Sequence, residues 1–184
     1  MAEDADLLLI RRIANGERAA ERALYQRHIR YLSAVAARYI SNDEDLRDVL
    51  QEALVRIFAN LSSFQYRGAG SLRAWMSRIV LNDALKFLRT NSRLQFVELD
   101  DEAAHIPDPP PEAEALPAEV LHRLIRELPD GYRTIFNLYV IENKSHKKIA
   151  QLLGIKESTS ASQFHRAKAA LAEKITNYLQ HNRL

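Results

Sequence analysis

An all-α fold in two small domains is what this sequence predicts, and three features carry the expectation. Apolar residues recur at helical spacing through two blocks. Gly is scarce, at 5 residues in 184, and five of the six prolines crowd into one stretch between the blocks. That stretch, residues 92–119, reads as an extended linker, because proline forbids a continuous helix there. The expected division is a first helical domain at 1–91, the linker at 92–119 and a second helical domain at 120–184.

The first block yields four helices. Leu7, Leu8, Ile10 and Ile13 predict a short helix ending near Asn15-Gly16. Leu24, Ile29, Leu32, Val35, Ala36 and Tyr39 predict a second. Asn42 or Asp43 suits the N-cap of a third, whose apolar stripe is Leu46, Val49, Leu50, Ala53, Ile57 and Phe58. After "SSFQYRGAG", Ser71 suits the cap of a fourth, burying Leu72, Met76, Ile79, Val80, Ala84, Phe87 and Leu88, with Trp75 read as core. These residues read as core and carry no function. In the second block, Ser145 suits the cap of "HKKIAQLL", with Ile149, Leu152 and Leu153 inward and a turn at Gly154. A helix over Glu157–Leu171 follows, the pair forming a helix-turn-helix.

Charge divides along the same lines. Residues 1–91 hold 14 Lys and Arg against 11 Asp and Glu, 92–119 hold one base against eight acids, and 120–184 hold 11 bases against five acids. Two basic blocks thus flank a linker of net −7, although the whole chain is only +2. Within the first block the positive charge sits on Gln65–Arg89, where Arg67, Arg73, Arg78, Lys86 and Arg89 face the single acid Asp83. Cations beside Phe64 and Tyr66 suit single-stranded nucleic acid, whose phosphates they neutralise and whose bases stack on rings.

The stretch "LGIKESTSASQFHRAKAAL", Leu153–Leu171, opens its helix on small hydroxyls, which are mediocre helix formers. Ser160, Phe164, Ala167 and Leu171 mark an inward face. Ser158, Thr159, Ser162, Gln163, His165, Arg166 and Lys168 offer short donors and acceptors backed by cations, as a helix in a DNA groove requires. A solvated amphipathic helix fits the same pattern, and the residues alone leave the two open.

Two stretches carry more than periodicity: "DEDLRDVLQEALVRIFANLSSFQYRGAGSLRAWMSRIVLNDALKFLR" and "LPDGYRTIFNLYVIENKSHKKIAQLLGIKESTSASQFHRAKAAL". Their order, spacing and content resemble the extracytoplasmic-function (group IV) sigma factors of bacterial RNA polymerase, over about residues 20–175. The resemblance implies a region 2 bundle and a region 4 helix-turn-helix joined by the linker. It makes Asp48, Gln51 and Glu52 of "DVLQE", which share a helix face at i, i+3 and i+4, a dock for the β′ clamp of core polymerase. It assigns the loop Ser62–Ser71 and the basic helix to opening of the −10 element, through Tyr66, Arg67, Arg73, Arg78, Asn82, Lys86 and Arg89. The −35 element falls to Ser158, Thr159, Ser162, Gln163, His165, Arg166 and Lys168. The β flap and promoter DNA are the further implied partners, and an anti-sigma factor is a candidate one. The linker would thread surfaces built for polyanions by mimicking their charge. Three positions depart from the family pattern: Lys86 stands where Asp is common, Lys156 where Ser usually caps, and Ala161 where a base is usual. The first puts the usual local ion pairing in doubt, and the other two leave promoter preference unassigned.

Other functions find little footing. The six His form no i, i+4 pair, Cys is absent, and "RGAGS" lacks the lysine of a phosphate loop, so no cofactor, metal or catalysis is expected. No apolar run reaches membrane-spanning length and the N-terminus is acidic, which predicts a cytoplasmic protein without membrane insertion. The rivals are a helix-turn-helix regulator that works without polymerase, and a decoy that keeps only the fold. "DVLQE" beside a basic aromatic loop argues against the regulator.

Overall fold

Helix ends in this computed structural model fall where capping chemistry places them, and the structure describes residues 4–91, 94 and 116–182. Helix α1 (Ala5–Ala14) is capped by Asp4, whose carboxylate accepts from the Asp6 N–H, and it stops at Asn15 before Gly16 turns the chain with φ +83°. Helix α2 (Arg18–Ala37) follows. Asn42 caps α3 (Asp43–Asn60) by accepting from the Glu44 and Asp45 N–H groups, while Asp43, Glu44 and Asp45 complement the helix dipole. A 3-10 turn, Leu61–Ser63, leads to α4 (Ser71–Thr90). Ser71 is the first residue of α4 rather than its cap. Its hydroxyl donates to the Gly68 carbonyl at 2.7 Å and accepts from the Arg67 N–H at 3.2 Å, which folds the loop onto the helix start.

The chain forms two units, 1–87 and 88–184. The core of the first is built from Leu24, Leu32, Leu50, Ile57, Leu72 and Met76, with Leu9, Ile10 and Ile13 of α1 packed against it. The apolar stripes expected of the four helices therefore meet in one place. A buried polar cluster joins α1 to α2: Asp6 Oδ1 accepts from Arg27 Nε at 2.8 Å and pairs with His28 Nε2 at 3.0 Å.

In the second unit α5 (Ala118–Arg126) and α6 (Asp130–Phe136) are joined by the "ELPD" corner, and α6 relaxes into a π-helical turn over Asn137–Ile141. Arg133 locks that corner. Its guanidinium is 2 % exposed, donates to the carbonyls of Arg126 and Leu128 at 3.0 and 2.9 Å, and pairs with Asp130. It thereby satisfies carbonyls that the end of α5 leaves without helical partners. Asn143, at φ +49°, turns the chain towards α7 (His146–Leu153), where Ser145 caps by accepting from the Lys148 N–H. Gly154 closes α7 in the left-handed conformation at φ +72°, and α8 (Glu157–His181) follows. Helix α8 runs ten residues beyond the expected end at Leu171, because Ala172, Ile175, Tyr178 and Leu179 continue its apolar face against α5. Among the described residues there is no strand, and no helix is long and apolar enough to cross a membrane.

Candidate nucleic-acid and polymerase interface

Asp48, Gln51 and Glu52 all lie exposed on α3, as their spacing requires. Leu50 and Ile57 of the same helix are buried in the core, as members of its apolar stripe. The apolar residue on the exposed side is Val55, 65 % exposed and one turn beyond Gln51 and Glu52. Sequence reading did not single it out, although its place opposite the apolar stripe of α3 already marks it as an outward apolar residue.

Arg56 ties this face to α4. Its guanidinium lies 2.6 Å from Asp83 Oδ1 and 3.6 Å from Glu52 Oε2. Asp83 is buried, and desolvation raises its carboxyl above the ordinary value against the opposing pull of Arg56. The one acid of the basic helix is thus turned inward and paired with α3, so Lys86 at the departure from the family pattern adds to the surface charge.

On α4, Arg78, Asn82, Lys86 and Arg89 are exposed at i, i+4, i+8 and i+11, which aligns them on one face. Arg73 does not join them. It lies near the helix start with its guanidinium 4.9 Å from the ring centre of Tyr31 on α2. In the preceding loop Arg67 is exposed, whereas Tyr66 is half-buried and donates its hydroxyl to Asp4 Oδ2 at 2.8 Å. Trp75 packs on the core with Phe64 at 5.1 Å between ring centres, in keeping with its reading as core.

The start of α8 divides its hydroxyls. Ser158 and Ser162 are exposed, Lys168 is exposed beside the Phe164 ring, and His165 and Arg166 are half-exposed. Ser158, Ser162, His165 and Arg166 share one side of the helix. Two expected members of this set are corrected. Gln163 is 1 % exposed and Thr159 is also buried. Gln163 stands one turn from Ser160 and one turn from Ala167, both wholly buried, so it turns with them away from the open side. Ser160 takes the third hydroxyl inward, with its Oγ 3.0 Å from His146 Nδ1. Around it Tyr139, His146 and Phe164 stack, with Tyr139 4.5 Å from the His146 ring and 4.3 Å from the Phe164 ring. Desolvation there holds the His146 pKa below its ordinary value. Next to this stack Val140 and Ile141 are exposed.

The arrangement defines a two-unit helical protein with an acidic exposed face on α3, a basic exposed face on α4 and a helix-turn-helix in the second unit. The family descriptions "Sigma-70 region 2" and "Sigma-70, region 4" match residues 24–94 and 118–171. The chain is 28% identical over 188 residues to the ECF RNA polymerase sigma-E factor of Haemophilus influenzae, covering 95% of this chain and 98% of that one. It is 26% identical to the protein of that name from Escherichia coli K12, covering 92% and 94%. A solved structure of CnrH in complex with the cytosolic domain of CnrY matches with a TM-score of 0.49 at 25% identity, over 95% and 99% of the two chains. The chain belongs to the extracytoplasmic-function sigma factors. As such it directs transcription initiation with core RNA polymerase.

Proposed function

We propose that the work of initiation divides between the two units along 1–91, 92–119 and 120–184. The first unit docks core polymerase and opens the −10 element, and the second reads the −35 element. The observation that carries this reading is the presence of two exposed faces on adjacent helices, α3 and α4. On α3 the carboxylates of Asp48 and Glu52 and the amide of Gln51 border the exposed Val55, which suits a basic, partly apolar helix such as the β′ clamp. On α4 the row Arg78, Asn82, Lys86 and Arg89 suits the phosphates and bases of a melted strand, with Arg67 beside it.

In the second unit Ser158, Ser162, His165, Arg166 and Lys168 form the groove-facing set, and the exposed run Tyr139–Ile141 supports a contact with the β flap. Chemistry stays with the polymerase, and the protein acts in the cytoplasm as its specificity subunit. An anti-sigma protein would silence it by covering one of these faces. Transcription in vitro with core enzyme, followed by start-site mapping, tests the reading. A single promoter class with a shared −35 and −10 pattern is expected; starts no different from those of core alone would overturn it. Co-elution with core polymerase separates it from a regulator that works without polymerase.

A further inference from the structure

Helix α1 plays no part in the docking or reading faces, yet its N-terminus reaches the −10 loop. Asp4 uses its two carboxylate oxygens for two tasks. Oδ1 accepts from the Asp6 N–H at 2.8 Å and caps α1; Oδ2 accepts from the Tyr66 hydroxyl at 2.8 Å, 62 residues away in sequence. The helix that carries Asp4 is itself fixed. Asp6 is held by Arg27 and His28 of α2, and Leu9, Ile10 and Ile13 pack on the core.

The loop needs such an anchor. Gly68 and Gly70 adopt φ +109° and +81°, which glycine reaches readily, and with no side chain and nothing within 4 Å of where a Cβ would stand they leave the loop weakly pinned there. Its far end is held by the Ser71 hydroxyl and its near end by Phe64 against Trp75. Arg67, exposed, lies between the Tyr66 hydroxyl bond and the Ser71 contact to its own N–H. The bond also has compatible charge states at neutral pH. The Tyr66 bond, with the helix cap behind it, lowers the Asp4 carboxyl, while burial and then Asp4 raise the Tyr66 phenol.

We infer that Asp4 is a positioning residue for promoter opening, latching Tyr66 so that the loop presents Arg67 to the −10 strand in one fixed geometry. The inference rests on the proposed assignment of loop 62–71 to the −10 element. Asp4→Ser separates the two tasks, since a serine oxygen still caps the helix but falls short of the Tyr66 hydroxyl. Tyr66→Phe removes the same bond from the other side.

The test uses holoenzyme assembled from core polymerase and the full chain on a promoter mapped with that holoenzyme. It measures permanganate reactivity of the melted strand, on the matched promoter and on versions with single −10 substitutions. Both variants should lower opening and −10 discrimination by roughly threefold to tenfold, and the double variant should be no worse than either alone. Additive losses, or an Asp4→Ser protein that opens and discriminates normally while Tyr66→Phe does not, would overturn the latch and leave the hydroxyl acting on DNA directly. Arg67→Ala is run alongside. If it opens and discriminates normally, the loop is not the −10 reader and both readings fall; if it is impaired while Asp4→Ser is normal, only the latch falls.

Discussion

His146 stacks on Tyr139 and lies near Phe164, with Nδ1 against the Ser160 hydroxyl, a place that favours the neutral ring. Its pKa is lowered from the ordinary 6.5 by desolvation, so the unfolded chain binds the proton at a higher pH than the folded one. Stability of the second unit should therefore be present above the ordinary value and decline as pH falls from there towards the lowered one. His146→Phe keeps a ring in the stack, and its urea midpoint should move less between pH 7.5 and 5.5 than that of the parent. Equal pH dependence in the two proteins would exclude the mechanism.

Arg133 offers a second residue-scale expectation. Replacing it by Met removes a donor from the Arg126 and Leu128 carbonyls and the partner of Asp130, at a cost of about 3 kcal/mol in chemical denaturation. The orientation of α8 separates two of its residues just as sharply. Arg166→Ala should weaken −35 binding by about 1–3 kcal/mol and relax preference at a few bases. Gln163→Ala should instead lower thermal stability and leave base preference unchanged, which competition binding with substituted −35 sites would measure.

At the scale of elements, α3 and α4 should fail in different ways. Asp48→Arg with Glu52→Arg, or Val55→Asp alone, should abolish or weaken core binding while circular dichroism stays nearly unchanged, because all three side chains are exposed. Unaltered affinity for core would remove α3 as the dock. Arg78→Ala with Lys86→Ala should reduce promoter opening on every sequence alike. The same pair should flatten the plot of log affinity against log salt by about 0.7–0.9 for each phosphate that the protein no longer neutralises. A defect confined to particular −10 sequences would mean that these side chains read bases.

Across the whole molecule, charge is partitioned rather than balanced. The eight acids of 92–119 offset basic units on either side, and apart from 94 and 116–119 this segment lies outside the described residues. Free protein should accordingly bind promoter DNA weakly. Replacing the eight acids by their amides raises the net charge from +2 by eight units, which should tighten non-specific duplex binding and steepen its salt dependence. Fluorescence anisotropy with a random duplex at several salt concentrations would measure both. No change in either would show that the linker's charge does not restrain the basic faces.

The positions of α1 to α4 and α7 and the start of α8, the caps at Asn42 and Ser145, the turn at Gly154 and the family itself were legible in the sequence, because period, capping chemistry and glycine conformation are local properties of the chain; α5 and α6 were not singled out. The polar triplet Asp48, Gln51 and Glu52 on α3 could be read for the same reason: i, i+3 and i+4 share a face in any helix. Which side of each helix meets the core is not local. Gln163 sits at the edge of the apolar stripe of α8, where a small rotation of the helix exchanges inside for outside. Only the packing of α8 in the second unit turned Gln163 inward, whereas Val55, opposite the buried stripe of α3, is outward by period alone. The bonds from Asp4 to Tyr66 and from Arg56 to Asp83 join residues 62 and 27 positions apart, and no spacing rule connects them. Tertiary packing had to bring those partners within hydrogen-bond reach before their charges could act on one another.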